Sequence, residues 1–359
     1  MSDICFVTWD GGGNVPPARD VARELQRRGH RVRFIGHPTQ ADRFRDAGLE
    51  LVPFPSARPF DILHVSSPLS VLSVLADRRL GLDVVRHVRQ HPTDHVVVDA
   101  LLFAVMTELG SAGIPYVALE HSFDGYLRRA AKGPMGWLLR LRRVNALRAL
   151  DSASRVLVAS VRELDAGHGD HVIHTGPVVV GTAAAPTEPT VLISLSTVGF
   201  RPLDTTWQRV LDALDGLPAR VIGTTGPALD PASLRAPAGV ELHAWLPHEE
   251  ILPQVSLVIG HGGHATTMAA LAHGVPVLVL PLDGASDQPF VGRVVQDTGV
   301  GRTLSRRSSK RRIRRAVEEL LTSEQCRQAA ASLGARIRTL DGTRQAADLL
   351  ESMTGKDPR

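Results

Sequence analysis

Short apolar runs alternate along this chain with stretches whose apolar positions return every three to four residues. Ile4 to Thr8 reads as a buried strand, the turn Gly11-Gly12-Gly13 follows it, and Pro16-Pro17 opens a helix through Ala18 to Arg28 that Gly29 closes. Arg31 to Ile35 is the next strand, and His95 to Val98 another, ending at Asp99. A helix around Leu102 to Ser111 leads through Gly113-Ile114-Pro115 to the strand Tyr116 to Leu119. This is βαβ rhythm: parallel strands read as continuous apolar runs because helices cover both their faces.

The rhythm pauses at Gly176-Pro177, and residues 181–189, rich in Ala, Thr and Pro, read as a linker. A second series begins at Val191-Leu192-Ile193-Ser194 and continues with a helix near Trp207 to Leu214 and strands at Arg220 to Gly223 and Val240 to Ala244. Leu257-Val258-Ile259, a helix after His261 and the strand Val277 to Leu280 complete it. The expected architecture is α/β, with two Rossmann-like, doubly wound parallel-sheet domains facing a cleft. The expected boundaries are 1–178, a linker at 179–189, and 190–359, with the last helix able to cross back to the first domain.

Composition narrows the classes. At 359 residues, with 43% hydrophobic and 22% charged positions, the chain is ordinary globular protein and too long for one comfortable core. The net charge of +4 is spread along the chain and carried almost wholly by arginine, since lysine occurs only at 132, 310 and 356. No nucleic-acid patch is indicated; a mild excess helps to draw in an anionic substrate. Cys5 and Cys326 lie far apart and in no metal-ligand spacing, so neither a disulfide nor a metal site is expected, and a reducing cytoplasm is. The chain starts directly in a strand pattern without a basic leader, and no apolar stretch approaches the ~20 residues that cross a bilayer.

One stretch departs from the rhythm. Arg128 to Leu150 interleaves Arg128, Arg129, Lys132, Arg140, Arg142, Arg143 and Arg148 with Met135, Trp137, Leu138, Leu139, Leu141, Val144 and Leu147. It reads as a surface helix with its apolar stripe packed inward, or as a segment that touches an anionic membrane peripherally.

The strongest chemical signal is Leu257-Val258-Ile259-Gly260-His261-Gly262-Gly263-His264-Ala265-Thr266. A strand runs into a glycine-rich turn that opens a helix, where free backbone N–H groups and the helix dipole suit an anion. Thr266 adds a hydroxyl, and His261 or His264 an N–H or a charge. A tight turn that merely needs glycine has the same pattern. At the end of the next strand, Asp287 and Gln288 offer a carboxylate and an amide to sugar hydroxyls, although Asp287 also fits a helix N-cap before Pro289. Trp245-Leu246, after another strand, offers a flat face and a backbone edge to a nucleobase; a Trp in that place also suits a core.

Trp245-Leu246-Pro247, the His261-Gly-Gly-x-x-Thr266 turn, Gly274-Val275-Pro276 and Asp287-Gln288, in this order, resemble the family 1 glycosyltransferases, among them the bacterial enzymes that glycosylate macrolides and other natural products. Gly176-Pro177, the N-terminal glycine turn and Arg28-Gly29-His30 extend the likeness over nearly the whole chain. It implies the GT-B fold and inverting, metal-independent transfer from a nucleoside-diphosphate sugar, dTDP- or UDP-linked, with the acceptor on the N-terminal domain and no bound cofactor. It assigns Ser196, Thr197, His261, Gly262, Gly263, His264, Ala265 and Thr266 to the diphosphate, Trp245 and Leu246 to the base, and Asp287 and Gln288 to the sugar. Ala265 replaces the third glycine of the usual turn. Ala269 stands where plant members carry a ribose-gripping Glu, which agrees with a deoxythymidine donor.

The largest departure is Gly13-Asn14-Val15, where the family places a catalytic histidine. An amide is no base at neutral pH. Asp99, at a strand end where the family's carboxylate partners that histidine, is the first candidate base; His121 is the second and Asp10 the third. Asp99 also fits a helix N-cap, and His121 a buried loop histidine. Asn14 then orients an acceptor hydroxyl, or the acceptor needs little help, as a carbon nucleophile does. The alternative is a non-catalytic sugar-nucleotide-binding partner of another transferase. A small-molecule acceptor and a monomer or homodimer are expected.

Overall fold

In the computed structural model, described over residues 1–60, 62, 68–165, 167–200 and 202–354, the chain separates into two compact units. One comprises Met1–Val178 with Asp341–Arg359, the other Val179–Leu340.

The first unit is built on strands β1 (Asp3–Val7), β2 (Arg31–Gly36), β3 (Glu50–Pro53), β4 (His95–Asp99), β5 (Val117–Glu120), β6 (Arg155–Val158) and β7 (Val172–His174). Its helices include α1 (Val15–Arg27), α2 (Ala41–Asp46), α3 (Pro68–Leu75), α4 (Arg78–Gln90), α5 (Phe103–Ser111), α6 (Asp124–Lys132), α7 (Pro134–Leu141) and α8 (Ala146–Asp151). The strands pair in parallel in the order β3-β2-β1-β4-β5-β6-β7. Alternate residues of each strand enter opposite cores. Cys5, Val7, Val96 and Val98 pack with Leu80, Val84 and Phe103 of α4 and α5. Ile4, Phe6, Phe34 and Val97 pack on the other face with Val21, Ala22 and Leu25 of α1.

The second unit carries β8 (Thr190–Ser194), β9 (Arg220–Thr224), β10 (Val240–His243), β11 (Leu257–Gly260), β12 (Val277–Val279) and β13 (Gly301–Thr303) in the parallel order β10-β9-β8-β11-β12-β13. With them come α9 (Leu203–Leu214), α10 (His248–Ile251), α11 (His264–Ala272), α12 (Gln288–Asp297), α13 (Lys310–Thr322) and α14 (Glu324–Thr339). Trp207 of α9 is fully buried against Val191, Ile193 and Val210. The closing helix, α15 (Gly342–Thr354), belongs to the first unit: Ala346, Ala347 and Leu350 are buried on the α1 side. Arg28, at the end of α1, reaches Asp348 at 2.6 Å and Glu351 at 2.7 Å.

Residues 179–189 hold no helix or strand, and Ala184 and Ala185 donate to His273 O and Pro253 O at 2.9 Å. The basic stretch is not one amphipathic helix but three short ones, α6, α7 and α8. Gly133-Pro134 ends the first, because proline cannot continue its hydrogen-bond ladder, and Arg142 to Asn145 separates the others.

Candidate functional site

In the second sheet Gly260 pairs with Ser194 on one side and Val279 on the other, so the loops after β8, β11 and β12 leave from adjacent points. The strand order reverses between β8 and β11, which is where open α/β sheets bind ligands at their carboxyl ends. The β11 loop, His261 to Gly263, runs straight into α11. Gly263 occupies the N-cap with extended backbone and no side-chain cap. The i→i−4 ladder opens with Thr267 N–H donating to Gly263 O at 3.1 Å, which leaves the amides of 264–266 outside it at the positive end of the helix. Gly262 has φ +88°, and a Cβ there would lie 2.9 Å from Gln288 O, so only glycine lets this turn pass so close to the β12 loop.

The remaining donor-side residues differ in what they present. Burial pushes the His261 pKa down to about 4, so at neutral pH the imidazole is an uncharged hydrogen-bonding group; this removes charge from the options the sequence leaves it. Ser196 is buried, and its Oγ accepts from Val198 N–H at 2.9 Å. Thr197 and Ala265 are exposed and Thr266 half-buried. Gln288 is buried, and its Oε1 accepts from the Leu282 and Asp283 amides at 2.7 and 3.0 Å, so its carbonyl pins the β12 loop. Asp287 takes the N-cap position of α12 but makes no side-chain cap bond. Trp245 is not core: it is 71% exposed beyond β10, with Leu246 half-buried beside it. Three strand spacings, about 14 Å, separate β10 from β11 across the sheet.

The first sheet reverses its order between β1 and β4, and there Asn14, Asp99 and His121 converge. Asn14 Nδ2 donates to Asp99 Oδ2 at 2.7 Å and to Trp9 O at 3.1 Å. Asp99 Oδ1 accepts from Leu101 N–H at 3.0 Å, and His121 Nδ1 stands 3.5 Å from Oδ2. Asn14 Oδ1 is buried with no hydrogen-bond partner. Gly11 makes the cluster possible, since a Cβ there would fall 2.6 Å from the Trp9 ring and 2.8 Å from Asn14 Oδ1. Asp10 is taken up elsewhere, by Arg43 and by Thr39 at 3.0 Å.

Sequence reasoning missed two buried acidic side chains, Glu120 and Asp165, around the His121 segment. Glu120 is fully buried with neither carboxyl oxygen hydrogen-bonded, and burial, with Asp124 and Asp165 nearby, holds its pKa well above the ordinary carboxylate range. Asp165 accepts from the Asp124 and Gly125 amides at 2.6 and 3.0 Å, fixing the chain just beyond His121. No local pattern marks Asp165, because its partners lie about 40 residues upstream.

Comparison with known proteins agrees with both halves. Residues 208–340 match the C-terminal domain of the erythromycin biosynthesis protein CIII-like family, and residues 12–180 match the glycosyltransferase family 4 model. An uncharacterized glycosyltransferase of Methanosarcina mazei is 24% identical over 99% of both chains. The 4'-demethylrebeccamycin synthase of Lentzea aerocolonigenes is 36% identical over 40% of this chain and 33% of its own length. Among solved structures, the calicheamicin glycosyltransferase CalG4 superposes with a TM-score of 0.80 at 23% identity over 100% of both chains. The glycosyltransferase VinC, solved in complex with dTDP, gives 0.73 at 19% identity over 99% of this chain and 100% of its own. The chain is a glycosyltransferase with the GT-B fold. Within that class it is similar to the bacterial enzymes of antibiotic and other natural-product assembly. Among the described residues no helix is long and apolar enough to cross a membrane.

Proposed function

We propose that this chain moves a sugar, with inversion, from a dTDP- or UDP-linked donor to a small-molecule natural-product acceptor. The observation that carries this reading is the start of α11, where the amides of Ala265 and Thr266 stand outside the helix ladder at the sheet's switch point. They receive the diphosphate and stabilise its charge as the anomeric C–O bond breaks. Trp245 offers its exposed face to the base, and Asp287 its carboxylate to the sugar.

On the acceptor side, the hydroxyl oxygen bonds to the anomeric carbon and its proton passes to a base. With Asp99 Oδ1 held by Leu101 N–H and Oδ2 bonded to Asn14, the more exposed partner of the pair is the half-buried His121. His121 takes the proton, and Asp99 orients it and steadies its charge.

The reading is tested by thermal shift with dTDP, UDP and GDP. A native-state ligand at a hundred times its Kd stabilises by about 2.7 kcal/mol. No shift with any of the three, at concentrations up to the millimolar range, sinks it. Asn14 in the family's histidine position favours a second reading, a sugar-nucleotide-binding partner without turnover. Release of nucleoside diphosphate by the purified protein separates the two.

A further inference from the structure

The chain from Gly125 to Leu150 contains seven basic residues, Arg128, Arg129, Lys132, Arg140, Arg142, Arg143 and Arg148, and no acidic one. Arg128 is buried and consumed by Asp124 and Asp151, at 2.8 and 2.5 Å. Lys132, Arg140, Arg142 and Arg143 are exposed.

Between them lies α7, which buries Gly136 and Leu139 and turns the opposite face outward. On that face Trp137 is 60% exposed and Leu141 63%, one helical turn apart. Burying either side chain would be favourable, yet both point away from the core.

The end of α7 adds a second observation. Arg143 N–H donates to Arg140 O at 2.9 Å and Val144 N–H to Leu139 O at 3.0 Å, the Schellman pattern. Arg143 therefore sits at φ +59°, where glycine is the least costly residue. An arginine there holds an exposed cation just past the end of α7 at a cost in stability.

We infer that this face of the N-terminal unit docks on an anionic lipid surface, with Trp137 and Leu141 entering the interface and Lys132, Arg140, Arg142 and Arg143 facing the headgroups. Charge complementarity selects the occupant, because an apolar ligand alone has no use for four cations. With 8 residues, about 12 Å long, α7 lies in the interface and does not cross it. Tryptophan suits the headgroup level, and each cation near an anionic leaflet strengthens binding about fivefold.

The test is co-sedimentation of the full chain with phosphatidylcholine vesicles, with and without roughly 30% phosphatidylglycerol. Binding to the anionic vesicles should exceed binding to neutral ones by at least about tenfold and fall as salt rises. The pair Trp137→Ser with Leu141→Ser should lose about tenfold or more. Arg140→Glu with Arg142→Glu should lose about twenty-five-fold or more. Arg143→Gly should raise Tm while weakening vesicle binding about fivefold, a combination that a merely structural role does not give. Equal binding to both vesicle types, no binding to either, or wild-type binding by either double variant overturns the inference. So does a loss of transfer to a water-soluble acceptor, without vesicles, in the Trp137→Ser, Leu141→Ser protein, because the face would then belong to the acceptor.

Discussion

The two sheets place their chemistry at the same topological position and assemble it in opposite ways. On the second sheet, one continuous run from Leu257 to Thr266 supplies strand, turn and helix start, and the proposed binding groups are backbone amides. On the first sheet, Asn14, Asp99 and His121 come from three separated segments, and their side chains meet only because β1, β4 and β5 are neighbours. A backbone site tolerates sequence change outside its glycines. A side-chain site shifts its roles when one member is replaced; here the Asn14 amide is committed to Asp99, and His121 is the more exposed member of the pair.

The sharpest way to break this contrast is at the side-chain site. Asp99→Asn and His121→Ala should each lower kcat by about 10²–10⁴-fold while leaving dTDP or UDP binding intact, measured by steady-state transfer and calorimetry. Full loss in Asp99→Asn with near-normal turnover in His121→Ala would make Asp99 itself the base; normal turnover in both would remove the cluster from the reaction.

A smaller effect is expected at the backbone site's edge. Trp245→Ala should weaken donor binding by about tenfold, the range for stacking of one base, and change stability by less than about 0.5 kcal/mol because the ring is 71% exposed. An unchanged Kd for donors would take the base away from β10.

The smallest effect concerns the buried carboxyl of Glu120. A raised folded-state pKa means that Glu120 stabilises the fold when protonated, fully below its unfolded pKa, and that this contribution is lost as pH rises through the folded value. Glu120→Gln should therefore unfold later than the parent at alkaline pH, by on the order of 1 kcal/mol, with the gain shrinking toward acid. Parallel stability–pH curves for the two proteins would count against a proton held at Glu120.

Much of this was legible in the sequence, for identifiable reasons. β1, β4, β8 and β11 are apolar runs ending in turn residues, and the turn at His261 announces itself because strand, glycines and helix start are contiguous in the chain. Asn14 was nameable from the glycine turn before α1, and Asp99 and His121 from strand ends, yet nothing in their spacing said that one oxygen of Asp99 would sit near both others. The strands that escaped notice, β3, β6, β7 and β13, run three or four residues, and β13 reads Gly-Arg-Thr. Such segments become strands by pairing with a neighbour, and propensity alone does not mark them. Trp245 was ambiguous for a similar reason: exposure is a property of what surrounds a ring, and a strand end fits either answer.

The return of α15 to the first unit bears on how such enzymes are recombined. A chimera spliced anywhere in 179–189 joins one parent's first 178 residues to the other's α15. Arg28 then meets a foreign helix in place of Asp348 and Glu351, and Val21, Ala22 and Leu25 meet unfamiliar side chains where Ala346, Ala347 and Leu350 had been fitted. Exchanging the donor half cleanly takes two crossovers, one in the linker and one near Leu340, so that each parent keeps its own last helix.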